Sequence, residues 1–142
     1  MRLRMNAAFA AVAVLTVGSA RAETLHYLAT LGGTAETPAN ASKSVGFADV
    51  TLDTDSRTIS WRITYSALSG PAVMAHFHGP AGPGVAGPVT VMISAPFASP
   101  LIGTAPVNFG QIGDLRAGLW YVNIHTLANP KGEIRGQLSR AH

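Results

Sequence analysis

Three histidines carry the strongest chemical signal in this chain of 142 residues. His76 and His78 lie two apart in the run Val73 to His78, where Val73, Ala75 and Phe77 alternate with Met74, His76 and His78. On a β-strand, residues i and i+2 leave the same face, so both imidazoles point one way while Phe77 turns toward a core. Two rings so placed can converge on one ion with little rearrangement. A third, His125, in a second strand-like run, would complete a three-nitrogen set with a position left for water or substrate. The sequence holds no cysteine, which leaves nitrogen ligation, and that suits Cu²⁺ or Zn²⁺. Met74, two residues before His76 on the same face, would add a weak thioether ligand if copper is the ion. A plainer reading of the same rings is hydrogen bonding inside a loop cluster. His26 and His142 read as surface residues.

Other constellations carry less. Gly82, Gly84 and Gly87 spell G-x-G-x-x-G, but Pro83 sits inside the turn, no buried strand precedes it and no helix pattern follows, so no nucleotide cofactor is expected. No nucleophile elbow or serine-histidine-aspartate pattern appears, which argues against a hydrolase and leaves any catalytic residue unknown. Glu133 and Arg135, two apart on one strand face, are expected to pair as a salt bridge. Trp61 and Trp120 alternate with polar neighbours and read as core. Asn40-Ala41-Ser42 is formally a glycosylation sequon.

The elements that must position these residues are short strands. Alternation of apolar and polar positions marks Leu25–Leu31, Gly46–Leu52, Ile59–Ser66, Val73–His78, Val89–Ile93, Leu119–Thr126 and Glu133–Ser139. Asp53-Thr54-Asp55-Ser56 has the side chains of a turn and joins the second and third as a hairpin. Gly79–Pro88 (GPAGPGVAGP) reads as a loop, and residues 94–113 show little periodicity. Seven strands at this spacing suit an all-β, Greek-key or immunoglobulin-like β-sandwich.

Residues 1–22 have the form of an export signal: Arg2 and Arg4, an apolar run from Ala7 to Val17, then Ala20-Arg21-Ala22. Eleven residues as a helix rise about 16 Å, too little for a membrane span. The expected working domain is 23–142, exported to the periplasm or secreted, with no membrane anchor after cleavage. Removing Arg2, Arg4 and Arg21 leaves seven basic against seven acidic residues. The basic pI therefore belongs to the leader, and nucleic acid is not an expected partner.

Three segments carry a family resemblance: Ala75–Ala81 (AHFHGPA), Gly118–Thr126 (GLWYVNIHT) and Asn129–Gln137 (NPKGEIRGQ), with Glu36-Thr37-Pro38 upstream. Over residues 25–139 the chain resembles the CHRD (chordin) domain family, a β-rich extracellular module also found in bacterial exported proteins. The resemblance implies little about activity. More loosely, the H-x-H pair, a later strand histidine and a Gly-rich turn leading to arginine look like the copper side of copper/zinc superoxide dismutases, also Greek-key sandwiches. That likeness implies copper ligation by His76, His78 and His125, with Arg135 near the open position attracting an anion. The chain departs from it in lacking a disulfide and a zinc-loop cluster. The resulting expectation is an exported CHRD-domain protein that binds a transition metal, with no protein partner assigned. Its rival is a non-enzymatic protein- or glycan-interaction module with structural histidines.

Overall fold

The computed structural model describes residues 21–142; the leader expected over 1–22 lies outside them apart from Arg21 and Ala22. Among the described residues no helix is long and apolar enough to cross a membrane. The strands are β1 (Thr24–Gly32), β2 (Val45–Asp53), β3 (Thr58–Ser66), β4 (Ala72–His78), β5 (Val89–Ile93), β6 (Leu101–Pro106), β7 (Tyr121–Thr126), β8 (Ile134–Gln137) and β9 (Ser139–Arg140). Among the described residues one α-helix, α1 (Phe109–Arg116), and a short 3₁₀ turn at Gly33–Ala35 interrupt them. The domain is all-β, as expected from the alternating pattern.

The strands form one antiparallel sheet in the order β5-β4-β7-β8-β1-β2-β3-β6, with β9 pairing β1. It curls until β5 and β6 approach, nearly closing into a barrel or sandwich. These two edges are not hydrogen bonded to each other. A cavity of about 360 Å³ at the seam is lined by residues of both, including Met92 and Ile102. The connections from β3 to β4 and from β6 to β7 cross between distant strands, so β7 returns beside β4 in Greek-key fashion.

The β2–β3 hairpin is closed by Asp53, whose carboxylate accepts from the Asp55 and Ser56 amides. Arg57 takes the left-handed conformation there, at φ 52°. Alternate residues of each strand fill the inside: Leu25, Tyr27, Ala29 and Leu31 from β1, Ile59, Trp61 and Ile63 from β3, Ala75 and Phe77 from β4, Val122 and Ile124 from β7. Trp61 meets Phe77 edge-on at 5.2 Å between ring centres, and Trp120 is fully buried beside Phe77. Both tryptophans are core, as expected. A buried side chain of this kind contributes roughly 1.5–3 kcal/mol.

Two elements that begin within residues 94–113 are not foreseen from the sequence. Strand β6 reads Leu-Ile-Gly-Thr-Ala-Pro, with Gly103 packed where a Cβ would meet the Trp61 indole. Its glycine and proline mask the alternation. Helix α1 buries only Ile112 and Leu115, too short a stripe for periodicity to register. Its signal is the capping box, in which Asn108 accepts from the Gln111 amide and Gln111 accepts in return from the Asn108 amide.

In a half-exposed sheet the outer residues of β7 would meet solvent. Here all six residues of β7 are buried. The loops following β1, β4 and β7 fold over the outer face of β4, β7 and β8 and convert a solvent face into a second, polar interior.

Candidate functional site

The register across that face sets the site. In β4 and β7, His78 is opposite Tyr121, His76 opposite Asn123 and Met74 opposite His125. In β7 and β8, Asn123 is opposite Arg135 and Tyr121 opposite Gln137. Side chains of opposed residues leave the same face, so three imidazoles, an amide and a guanidinium gather under the loops. His76, His78 and His125 are 7%, 9% and 6% exposed. One ring nitrogen from each lies within 4.8 Å of the others. The structure thus brings together all three histidines singled out from the sequence. His26 and His142 are exposed and stand apart, as expected.

A tetrahedral set at about 2.0–2.1 Å from an ion has its nitrogens about 3.3 Å apart. The rings must therefore draw in by about 1.5 Å at most, a matter of small side-chain rotations. The ring orientations are already fixed from behind. His78 Nδ1–H donates to the Gly87 carbonyl at 3.0 Å, and His125 Nδ1–H donates to the Pro130 carbonyl at 3.0 Å. A carbonyl only accepts, so in each neutral ring Nδ1 carries the hydrogen and Nε2 carries the lone pair. Both Nε2 atoms face the Asn123 side-chain oxygen, at 3.1 and 3.0 Å. The His76 Nδ1 is buried without a hydrogen-bond partner.

Burial holds the His76 imidazolium form down, to a pKa of about 4, and the neighbouring His125 and His78 add to the effect. Burial also lowers His125, against the opposing hydrogen bond to Pro130 and with a smaller push from His78. At neutral pH these two rings are unprotonated and able to ligate. His78 is stacked on Tyr121 at 4.6 Å and 4° between planes. On the far side of Tyr121 the Arg135 guanidinium lies 3.4 Å from the ring centre.

Arg135 corrects two expectations. It makes no salt bridge with Glu133; among the described residues the ion pairs join Glu23 to Arg116 and Arg140. Its donors go to the Thr37 hydroxyl, the Val85 and Gly82 carbonyls and the Gln137 amide oxygen. At 2% exposure, with two bonds to the Gly/Pro loop and two to Thr37 and Gln137, it does not offer its charge to an incoming anion as the dismutase likeness implied. The four donated bonds and the Tyr121 face are what a planar fork supplies.

Glu133 has instead a nest of donors. It precedes β8, not within it, and so turns into the loops. Its Oε1 accepts from the Ser42 and Ser44 hydroxyls and the Ser69 amide; its Oε2 accepts from the Ser69 and Thr126 hydroxyls. Burial alone would raise its pKa, but these bonds outweigh that and hold the carboxylate well below the usual range. It ties the loop after β1 and the β3–β4 connection to Thr126, the residue after His125. Asn40, the sequon asparagine, donates its amide to the Gly132 and Glu133 carbonyls.

Glu36, which the sequence marks only as part of Glu-x-Pro, is also buried. Burial pushes its carboxyl up to about 7, opposed by the Thr37 amide, the Arg135 charge and a contact with Asn123. Asn123 itself is legible as a residue on the His125 face, since the alternation from Tyr121 to His125 includes it, but nothing in its type advertises a role.

This is a nearly closed antiparallel β-domain whose three-histidine cluster lies on the outer face of the sheet beneath loops, an arrangement able to hold a metal ion. Residues 12–138 match the CHRD domain family model, and the chain belongs to that family. The match begins upstream of the resemblance read from Leu25, within the expected leader. No curated protein and no solved structure matches the chain.

Proposed function

We propose that this protein is an exported CHRD domain that binds a transition metal, copper in preference to zinc, through His76, His78 and His125, and stores, buffers or delivers it. The observation carrying this reading is the pair of Nδ1–H bonds to the Gly87 and Pro130 carbonyls. Metal-ligating histidines are held this way, with the far ring nitrogen bonded to fix tautomer and orientation and the near one left bare. Imidazoles alone suit either ion. Copper gains support from two thioethers on the same sheet face: Met74 is opposite His125 and Met92 opposite His76. They are 39% and 63% exposed, so two thioethers stand on the histidine face of the sheet, and a weak methionine ligand beside imidazoles is a copper arrangement. The leader-like composition of residues 1–22 supports export.

The test is titration of the purified protein with Cu²⁺ and with Zn²⁺, beside the double variant His76→Ala/His78→Ala. Tight one-to-one copper binding that the variant loses is expected. Equal affinity in the two proteins overturns the reading.

A further inference from the structure

The polar interior contains an arrangement that three histidines alone leave unexplained. The Asn123 side-chain oxygen lies 3.1 Å from His78 Nε2 and 3.0 Å from His125 Nε2. Because both Nδ1 atoms are committed as donors to backbone carbonyls, each Nε2 presents a lone pair when its ring is unprotonated. An amide oxygen is an acceptor too. Three electron-rich atoms therefore converge with no hydrogen between them, and the His76 Nδ1 is orphaned nearby. Inside a protein such a convergence is repulsive and costs free energy unless a cation occupies its centre. Separations near 3 Å are those of neighbouring ligands around one ion at about 2.0–2.2 Å.

We infer that Asn123 is the fourth ligand of the centre, donating its side-chain oxygen beside the three imidazoles to a divalent cation. The fold builds this residue in as firmly as the histidines. Asn123 is 3% exposed, sits directly opposite His76 on β4 and Arg135 on β8, and has Glu36 against its side chain. A carboxylate on that side matches the amide NH₂, which turns the carbonyl end toward the rings. In this orientation the amide NH₂ faces Glu36, whose Oε1 is otherwise buried without a partner. An oxygen in the donor set also has a chemical consequence: N₃O ligation favours Cu²⁺ or Zn²⁺ over a monovalent soft ion. The exposed thioethers of Met74 and Met92 then lie outside the resting coordination sphere.

The inference rests on the three-histidine reading, and the experiment separates the two. Wild type, Asn123→Leu, Asn123→Asp and His78→Ala are titrated with Cu²⁺ and Zn²⁺ against a competing chelator, and the Cu²⁺ forms are compared by electron paramagnetic resonance. Thermal unfolding of each metal-free protein establishes that it is folded. Asn123→Leu should lose about ten- to a hundred-fold in affinity and show altered copper hyperfine splitting. Asn123→Asp, nearly the same shape with an anionic oxygen in the same place, should bind at least as tightly as wild type with a shifted spectrum. If Asn123→Leu does not fold, Asn123→Asp decides: unchanged affinity and spectrum, or weaker binding, overturns the inference. Asn123→Leu that matches wild type while His78→Ala loses the ion overturns it equally. Wild type that binds neither ion, or His78→Ala that binds as wild type does, overturns the three-histidine reading and this inference with it.

Discussion

Replacing Glu133 by glutamine probes the nest that holds the loops over the site. The carboxylate is fully buried and accepts from the Ser42, Ser69 and Thr126 hydroxyls at 2.6–2.9 Å, from the Ser44 hydroxyl at 2.7 Å and from one amide at 2.9 Å. A hydrogen bond to a charged group contributes about 1.5–3 kcal/mol against about 0.5–1.5 for a neutral one. Glutamine keeps the shape, lowers each bond to the neutral value, and turns an NH₂ toward donors. Relief from burying a charge offsets part of this, leaving an expected loss of about 3 kcal/mol at pH 7. The pH dependence is the sharper test. The folded carboxylate titrates well below the ordinary 4.5, so its stabilisation is complete above pH 4.5 and is lost as pH falls toward the folded value. At about 1.4 kcal/mol per pH unit, wild type should lose about 2 kcal/mol between pH 4.5 and pH 3 that the glutamine variant does not. Other carboxylates are common to both proteins and cancel. Urea unfolding of the pair at pH 7 and pH 3 should therefore show a gap narrowing from about 3 to about 1 kcal/mol. A gap that is the same at both pH values refutes the reasoning.

Two further outcomes follow from the loops. Arg135→Lys keeps the charge but not the planar fork, so it should destabilise by about 2–3 kcal/mol and speed amide exchange at Val85 and Gly87; unchanged protection there would show that the guanidinium does not clamp the loop. Gly132 has φ of 123°, and a Cβ would run into the Glu36 carboxylate, so Gly132→Ala should cost about 3 kcal/mol, read as a lowered Tm; a change within about 1 kcal/mol would mean that the Asn129–Gly132 turn relaxes freely.

How much of this molecule its residues disclose differs by feature. Strand identity is local: Ile59-x-Trp61-x-Ile63 and Leu25-x-Tyr27-x-Ala29 each bury one face, and a period of two is visible along the chain without any partner. The H-x-H pair is local for the same reason, since adjacent same-face positions of one strand need no tertiary information. Helix α1 and strand β6 are hidden, one by its shortness and the other by its glycine and proline. The pairing expected of Glu133 and Arg135 fails because strand spacing says which face a residue leaves, not what waits there. One meets five donors, four from two distant loops and one from the end of β7, and the other meets carbonyls and an aromatic face.

Residue types and their alternation therefore determined the all-β class, the inward and outward faces, and two of the three rings. Whether His125 would meet them depended on β7 lying beside β4 rather than beside its chain neighbour β6, a choice made by long-range pairing. That the outer face would be sealed beneath loops, with Asn123 between two bare nitrogens and Glu36 behind it, was settled by packing alone. Burial and hydrogen-bond complementarity belong to the assembled surface, and no stretch of chain contains both sides of it.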